Sequence, residues 1–422
     1  MEARPVGGTV LGAEAVTLPP AAGPPGAGDL LTLMLDGQPR TRAELIELSG
    51  LARSTVAGRM DALLGADLLQ PGGQSRSTGG RPPTTFVFNP LARLVLAADF
   101  GVSHGRAALT DLHARVLHEE VAELDIADGP EATLGWLLEA ADRLLASAGR
   151  ERADLAGVGI GLPGPVEHET GRAVKPPIMP GWDGFPVGDW VRERIGAPVL
   201  VDNDVNLMAL GEHSVVYPHV EHLVFVKIST GIGAGIISGR QLHRGAQGSA
   251  GDLGHVQSPR GGDVQCSCGN TGCLEAIAGA RAIAHELDRT QLRGADASRF
   301  VREQLVRGDR QAVAAIRRAG RDIGEVLASC VNLLNPSVVV LGGALALSGD
   351  ASLLVGVREV IYARSLPLAT GELSVVPSQT GEHAGVIGAA TMAVQQFLHP
   401  RSVDALLQQT AQQVSPAGAG RA

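Results

Sequence analysis

Cysteines and aromatic residues are scarce in this sequence. Only four cysteines occur in 422 residues, which excludes a disulfide scaffold and indicates a reducing compartment. Phe, Tyr and Trp make up 3% of the chain, yet hydrophobic residues make up 44%, which excludes a wholly disordered protein. At roughly 100–200 residues per domain, the length predicts two or three domains.

The sequence also lacks the segments that send a chain to or across a membrane. The N-terminus has no basic stretch followed by a continuous apolar one, which argues against a secretory signal. No apolar run reaches the length of about 18 residues that a membrane-spanning helix needs. We therefore expect a cytoplasmic protein with no membrane partner. Residues 1–27 and 401–422 are predicted to be flexible tails.

Positive charge is scarce and unevenly placed. The chain carries 35 Lys and Arg against 44 Asp and Glu, a formal net charge of -9, which argues against non-specific binding to nucleic acid. Residues 1–93 differ from this average, because they contain eight arginines, no lysine and eight acids. No acid occurs between Leu68 and Ala98. The negative charge therefore belongs to the rest of the chain.

Residues 28–90 predict a winged helix-turn-helix domain. The second of three short helices begins at Thr41, with Glu44 three residues on, as in a capping box. Gly50 forms the turn to the third helix. A strand, a glycine-rich loop and a second strand follow, which is the pattern of a wing.

The polar side of the third helix and the wing are the predicted DNA contacts. A recognition helix presents its N-terminal polar residues to base edges in the major groove, and wing arginines reach phosphates or the minor groove. The predicted contacts are Arg53, Ser54, Thr55, Arg59, Arg76 and Arg81. The alternative is a small helical interaction domain whose arginines are solvated.

From residue 91 to about 400 the sequence alternates strand-like and helix-like segments. Strands are predicted at Leu94–Ala98, Arg106–Thr110, Arg115–Leu117, Leu155–Ile160, Val199–Val201, Leu223–Ile228 and Val338–Leu341. An amphipathic helix is predicted over Leu134–Leu145. This order predicts an α/β fold of two related lobes, at about 91–215 and 216–400.

Three of the four cysteines lie close together and follow a histidine. Cys266, Cys268 and Cys273 supply three thiolates, and His255 supplies an imidazole. Four such ligands close a tetrahedral zinc site and leave no position for water, so we predict structural zinc. The alternative is three reduced surface thiols. Cys330 is interpreted as a small buried apolar residue.

A polar cluster follows the predicted strand at Val199–Val201. Asp202, Asn203 and Asp204 come directly after it. A carboxylate at the carboxyl end of a strand is well placed to accept a proton from a ligand hydroxyl. The alternative is a turn that caps the next helix. The two roles are compatible, because one side chain can cap while another faces a crevice.

Three loops that contain glycine follow predicted strands. They are Asp99–Ser103, Ser229–Gly235 and Leu341–Ala344. Such loops offer backbone N–H groups to phosphate. Each loop by itself is weak evidence for phosphate binding, since glycine-rich turns are common. Together, in a two-lobed α/β chain, they indicate an actin-like kinase architecture.

These motifs together resemble the ROK family of repressors and sugar kinases, from about Leu91 to Leu398. The motifs that carry the resemblance are Leu162–Pro165, Asp202–Asn206, Ser229–Gly235, Gly251–His255 and Cys266–Glu275. The resemblance implies a two-lobed actin-like ATPase fold of the ribonuclease H type. The winged helix-turn-helix ahead of it resembles the regulator branch, of the xylose and N-acetylglucosamine repressor type.

The resemblance implies a role for each matching residue. Asp204 matches the general base of the kinases, and His255 matches a residue that ligates zinc and contacts the sugar. The implied sugar-binding residues are Gly164, Asn203, Asp204, Asp252, His255 and Glu275. If ATP binds, the implied nucleotide-binding residues are Asp99, Gly101, Ser103, Thr230, Gly231, Gly233, Gly342 and Gly343.

Two residues depart from the family pattern. Asp252 stands where the family carries a glutamate, which is one methylene longer, so the accepted sugar stays open. Val102 stands where the kinases carry a glycine, and its β-branched side chain hinders the approach of the backbone to phosphate. Val102 weakens the case for ATP, whereas Asp204 supports it.

The sequence therefore predicts a zinc-containing, sugar-responsive transcriptional regulator that represses genes of carbohydrate uptake or catabolism. We expect it to bind operator DNA as a homodimer or homotetramer. The alternative is an ATP-dependent kinase of hexoses or N-acetylhexosamines with an accessory DNA-binding domain. A third interpretation is a regulator that senses a partner protein instead of a sugar.

Overall fold

The computed structural model describes residues 26–74 and 83–414 and divides into two compact units. The smaller unit contains the described residues up to Leu94, the short segment Asp111–His113, and the described residues from Val394 onward. The larger unit contains Val95–Thr110 and Ala114–Ala393. Within the described ranges, no helix is both long and apolar enough to cross a membrane.

The N-terminal part of the smaller unit has the helices and strands of a winged helix-turn-helix. They are α1 (Ala27–Thr32), β1 (Arg40–Thr41), α2 (Arg42–Ser49), α3 (Arg53–Gly65), β2 (Leu69–Gln74) and β3 (Thr84–Phe88). Strand β3 pairs antiparallel with both of the others, in the order β1–β3–β2. Residues 75–82, with the predicted DNA contacts Arg76 and Arg81, lie outside the described residues.

Local chemistry sets the boundaries of α2. The Thr41 hydroxyl accepts a hydrogen bond from the Glu44 N–H at 3.2 Å, and the Glu44 carboxylate accepts one from the Thr41 N–H at 2.6 Å. This reciprocal pair is the predicted capping box. The helix ends at Gly50, whose φ of 67° is a left-handed conformation that glycine adopts without a Cβ penalty.

The chain from 94 to 216 builds the first sheet of the larger unit and its helices. These elements are β4 (Leu94–Phe100), β5 (His104–Thr110), β6 (Val116–Glu123), α4 (Pro130–Ala148), β7 (Leu155–Leu162), β8 (Val166–Glu167), β9 (Arg172–Ala173), α5 (Val187–Ile195), β10 (Val199–Asn203) and α6 (Asp204–Val216). The sheet has five strands in the order β10–β7–β4–β5–β6. Strands β4, β5 and β6 are antiparallel neighbours, and β10 runs parallel to β7.

The following chain builds a second five-stranded sheet. Its elements are β11 (His222–Ile228), β12 (Ile232–Ser238), β13 (Gln241–Leu242), α7 (Leu274–Ala278), α8 (Ala280–Glu286), α9 (Gly294–Val306), α10 (Arg310–Leu334), β14 (Val338–Gly342), α11 (Ser352–Arg364), α12 (Pro367–Thr370), β15 (Ser374–Pro377) and α13 (Ala384–Leu398). The strand order is β13–β12–β11–β14–β15.

The second sheet repeats the pairing pattern of the first. Strands β11, β12 and β13 are antiparallel neighbours, and β14 and β15 continue parallel to β11. Strand β7 of the first sheet, which lies between β10 and β4, is buried along its whole length, as expected for a sheet covered on both faces. Two sheets built alike confirm the predicted α/β fold class.

The segment after α13 corrects the prediction of a flexible tail for residues 401–414. Residues Pro400–Val414 form helix α14. Its Asp404 carboxylate accepts a hydrogen bond from the Gly28 N–H of α1 at 3.0 Å, and Val403 is fully buried. The Gln- and Ala-rich composition is that of a linker, but these are also good helix formers, and packing on α1 stabilises the helix. Residues 415–422 and 1–25 lie outside the described residues.

Replacing Asp404 with Ala tests this contact. The substitution removes a capping acceptor at the first turn of α1, which costs about 1 kcal/mol. Amide exchange of α1 by local opening should then accelerate roughly fivefold. Hydrogen exchange of the peptide that covers Ala27–Thr32, followed by mass spectrometry, measures the rate. Gln408→Ala, at an exposed position of the same helix, is the matched control, and equal rates in the two variants would contradict the role of Asp404.

Candidate functional sites

Helix α3 presents one polar face and one buried face. Arg53 and Ser54 are exposed, and Thr55 and Arg59 are partly exposed. The fully buried residues on the other side of the helix are Val56, Met60 and Leu63. The helix thus holds a polar face in solvent at its N-terminal half, as a recognition helix requires.

The polar cluster of the larger unit lies where β10 ends and α6 begins. Asn203 caps α6, because its Oδ1 accepts hydrogen bonds from the N–H groups of Val205 at 2.9 Å and Asn206 at 3.3 Å. Its Nδ2 donates to the Gly164 carbonyl at 2.8 Å. Gly164 has a φ of 129°, a conformation that favours glycine. Asn203 therefore ties the start of α6 to the turn after β7.

Asp202 is buried and holds a second loop. Its Oδ2 accepts a hydrogen bond from Arg244 Nε at 2.6 Å, and its Oδ1 accepts one from Asn206 Nδ2 at 2.9 Å. Arg244 comes from the segment that leads into the predicted sugar-binding residues Asp252 and His255. Asp202 is therefore a positioning residue that anchors this loop to β10.

Asp204 faces a lysine that sequence reasoning missed. The Lys227 ammonium forms an ion pair with Oδ2 of Asp204, which is only 3% exposed. Burial alone would lower the pKa of Lys227, but the carboxylates of Asp204, Asp99 and Glu275 outweigh it and raise that pKa. A lone lysine within the apolar strand Leu223–Ile228 was the signal that could have found it.

Asp99, near the end of β4, lies in the same crevice. Burial and the neighbouring charge of Asp204 raise the pKa of Asp99 to about 7, although Lys227 and Arg106 oppose the shift. A glycine in β7 leaves room for this carboxyl, since a Cβ at Gly161 would lie 3.3 Å from its Oδ1. Two acids and one lysine, from β4, α6 and β11, thus lie close enough to interact electrostatically.

Three turns carry most of the predicted nucleotide-binding residues. Gly101 and Ser103 lie after β4, Thr230 and Gly231 lie after β11, and Gly343 follows Gly342 at the end of β14. The prediction that Gly233 lies in a loop is wrong, because Gly233 lies inside strand β12 and pairs with Lys227 of β11. Glycines continue into β12 because this strand packs closely against α6. A Cβ at Gly235 would lie only 2.6 Å from the Val205 carbonyl oxygen of that helix.

Glu275 connects the predicted sugar site with the turn after β11. It lies on α7, and its Oε2 accepts a hydrogen bond from the Ile232 N–H at 3.1 Å. Burial raises the pKa of Glu275, whereas this hydrogen bond and His255 lower it in part. Asp252, by contrast, is exposed at the start of the short turn that ends at His255.

The predicted metal ligands come together. The donor atoms of His255, Cys266, Cys268 and Cys273 all lie within 4.8 Å of one another. The Cys266 Sγ to His255 Nδ1 distance is 3.6 Å, and the Cys268 Sγ to Cys273 Sγ distance is 3.7 Å. Tetrahedral zinc, with bonds of about 2.3 Å to sulfur and about 2.0–2.1 Å to nitrogen, separates its ligand atoms by about 3.5–3.8 Å. The donor set and spacing fit a zinc ion with four protein ligands.

The backbone around the cysteines favours this cluster. Gly269 and Gly272 adopt φ values of 92° and 71°, which let the chain turn back between the ligands. Burial, together with the adjacent thiols, raises the pKa of Cys273 to about 12. Three adjacent thiolates would need a cation beside them, which a bound zinc ion would supply.

Zinc content tests the metal cluster. We expect one zinc ion per chain, and Cys268→Ser should retain clearly less because one of four ligands is lost. Cys330→Ser changes a cysteine outside the cluster and should keep the full content. Metal analysis by mass spectrometry after dialysis measures both. Full occupancy in Cys268→Ser would refute the four-ligand site.

Stability against pH tests the environment of Asp99. Because its pKa in the folded chain is about 7, above the ordinary 3.8, ionisation of Asp99 destabilises the folded state progressively from about pH 4 to pH 7. Asp99→Asn should therefore raise the unfolding temperature of the larger unit more at pH 8 than at pH 5. Tryptophan fluorescence reports on this unit, which contains all three tryptophans.

Asp128→Asn, at an exposed position of the larger unit, is the control for this experiment. It should leave the unfolding temperature unchanged at both pH values. An equal rise in unfolding temperature from Asp99→Asn at pH 5 and pH 8 would contradict a raised pKa of Asp99 in the folded chain.

Comparison with known proteins places these features in context. The sequence profile of the ROK family matches residues 95–396. A xylose repressor from Caldicellulosiruptor bescii is 30% identical over 383 residues, which are 87% of this chain and 95% of the repressor. A glucokinase from Halalkalibacterium halodurans is 31% identical over 283 residues, which are 64% of this chain and 85% of the kinase.

A solved structure matches nearly the whole fold. It is the crystal structure of a ROK family transcriptional regulator described as a homologue of the E. coli MLC protein. The TM-score is 0.76 at 26% sequence identity, and the match covers 91% of this chain and 98% of that one. The repressor and the regulator thus match more of this chain than the glucokinase does.

Proposed function

Because the chain belongs to the ROK family, we propose that it is a sugar-responsive transcriptional repressor of carbohydrate uptake or catabolism genes. The observation that carries the proposal is the exposed polar face of α3, in a winged helix-turn-helix joined to a sugar-kinase-like crevice. The match to a xylose repressor over 87% of the chain supports it. The protein acts in the cytoplasm, where its DNA is.

The DNA-binding step is assigned to α3 and the wing. Arg53 and Ser54, both exposed, contact base edges in the major groove, with Thr55 and Arg59 beside them. The wing arginines, Arg76 and Arg81, contact phosphates or the minor groove. Since an operator of two half-sites requires two recognition helices, the chain acts as a homodimer or homotetramer.

The sugar-binding step is assigned to the crevice around α6 and α7. A sugar hydroxyl needs both donors and acceptors, and Asn203, Asp204, Asp252, His255 and Glu275 supply them. Gly164 keeps backbone close to the ligand without a side chain in the way. Glu275 also holds the Ile232 N–H, so a ligand that contacts Glu275 acts on the turn after β11.

Zinc has a positioning role in this proposal. When bound, it fixes His255 from one loop and Cys273 from the start of α7. Glu275 lies two residues after Cys273, so the ion orients two sugar-binding residues at once. Zinc with four protein ligands supplies no open coordination position and therefore no direct chemistry.

A second candidate function is ATP-dependent sugar phosphorylation. It is favoured by Asp204, a carboxylate at a strand end that faces a crevice, and by the 31% identity to a glucokinase. Val102 weighs against it, because a β-branched residue follows Gly101 where the backbone would approach phosphate.

Operator binding measured with and without sugar tests the repressor function. Genome-wide mapping of bound DNA supplies the operator, and fluorescence anisotropy measures its affinity in the presence of xylose, glucose or N-acetylglucosamine. We expect at least one sugar to change the affinity about 5–150-fold, the usual range of coupling between sites. If no sugar changes it, the proposal fails, and co-purification from extract then tests for a sensed partner protein.

Two variants separate the DNA site from the sugar site. Arg53→Ala should weaken operator binding by about 5–150-fold and leave sugar affinity unchanged. Glu275→Gln should bind operator normally and lose the response to sugar. Arg302→Ala, at an exposed position of α9 in the larger unit, is the control for loss of one arginine and should behave as the unaltered chain.

A further inference from the structure

We propose that Lys227 prevents Asp204 from acting as a general base, so that the crevice binds a sugar without phosphorylating it. The inference rests on the proposed function, in which the chain senses a sugar and does not turn it over. It assigns the loss of kinase chemistry to one residue that neither the predicted sugar-binding set nor the predicted nucleotide-binding set contains.

Both carboxylate oxygens of Asp204 have partners within the chain. Oδ1 accepts a hydrogen bond from the Val205 N–H at 2.8 Å. Oδ2 is paired with the Lys227 ammonium. Asp204 is buried, and the Lys227 side chain is 21% exposed.

The fold directs Lys227 toward this carboxylate. Lys227 lies in β11, with Gly233 of β12 on one side and Gly342 of β14 on the other. Neighbours at one register share a face of the sheet, and neither glycine has a side chain to crowd the lysine. A Cβ at Gly233 would lie 3.1 Å from Cγ2 of Val205, so this is the face that packs against the start of α6.

The charge on Lys227 is secured by its surroundings. The carboxylates of Asp204, Asp99 and Glu275 together raise the pKa of Lys227 despite its burial. A protonated lysine donates hydrogen bonds and accepts none. The ammonium therefore stays paired with Asp204 as a donor and offers that carboxylate no route for a proton taken from a sugar hydroxyl.

The blocked step is phosphoryl transfer from Mg-ATP to a sugar. In that reaction a sugar hydroxyl oxygen bonds to the γ-phosphorus, and the bond from that phosphorus to the β,γ-bridging oxygen breaks. ADP leaves with the bonding electrons, and the hydroxyl proton passes to a carboxylate. Here Oδ2 of that carboxylate already accepts a hydrogen bond from Lys227, and Oδ1 accepts one from the Val205 N–H. The ammonium has three N–H groups, so it can still donate to a sugar oxygen and contribute to binding.

The test removes Lys227 from a variant in which the turn after β4 no longer carries the β-branched side chain of Val102. Val102→Gly supplies that background and keeps the ion pair. The double variant Val102→Gly/Lys227→Met removes the ion pair, whereas Val102→Gly/Lys227→Arg keeps it. ADP formation with Mg-ATP is measured with xylose, glucose and N-acetylglucosamine in turn, and against a blank without sugar.

We expect sugar-dependent ADP formation by the Lys227→Met double variant at least tenfold above that of Val102→Gly alone. The Lys227→Arg double variant should stay at the level of Val102→Gly. Adding Asp204→Asn to the Lys227→Met double variant should abolish the gain. Lys227→Gln in the same background is a second neutral replacement and should reproduce the gain. Calorimetric sugar binding and zinc content verify that each variant is folded.

Three results would overturn the inference. They are turnover by Val102→Gly with Lys227 intact, no gain from either neutral replacement in folded protein, and a gain that survives Asp204→Asn. Failure of the proposed function is seen separately, because the unaltered chain would then bind none of the sugars or would show no change in operator affinity.

Discussion

The larger unit depends on the pairing of two buried carboxylates at the junction of β10 and α6. Asp202 and Asp204 are 1% and 3% exposed, and a buried carboxylate is tolerated only when it is paired and hydrogen-bonded. Arg244 pairs with the first, and Lys227 pairs with the second. Each partner comes from a different segment, so this electrostatic requirement holds a loop and a strand of the second sheet at the start of α6.

The same junction explains how one architecture serves both sensing and catalysis. A crevice that positions a sugar beside a carboxylate needs only a free carboxylate and a phosphate-binding turn to become a kinase. In this chain the carboxylate is paired, and the turn after β4 carries Val102. The sugar-binding residues that we propose, Asn203 and Glu275 among them, include neither Lys227 nor Val102. Loss of chemistry therefore does not require loss of recognition.

Sequence patterns predicted most of the sheets and the metal cluster. All seven predicted strands are strands in the structure, because continuous apolar runs between turns are a strong local signal. The cysteine spacing predicted the metal cluster with His255, because all four ligands lie close together in the sequence. The sequence predicts a phosphate loop over Ser229–Gly235, but the second half of this segment belongs to strand β12. The glycines of β12 allow close packing against α6, and a local pattern does not distinguish this use from phosphate binding.

Contacts between distant segments were not predictable. The Lys227–Asp204 pair joins residues 23 positions apart. A lone lysine in an apolar strand indicates that a buried counter-ion exists, but it does not identify Asp204 as that partner. Helix α14 was interpreted as a tail because its composition is that of a linker, and its partner α1 lies 376 positions away across the Gly28–Asp404 hydrogen bond. In both cases the decisive stabilisation is tertiary, which single-sequence propensity does not report.

The contact of α14 with α1 has a consequence for synthesis. The ribosome makes the winged helix-turn-helix first and the whole larger unit next, and only then makes α14. The smaller unit is therefore completed by a segment that is translated after the larger unit. A nascent or truncated chain that stops before Pro400 carries α3 but lacks the helix that packs on α1. Only a chain that already contains the whole larger unit can thus complete the smaller one.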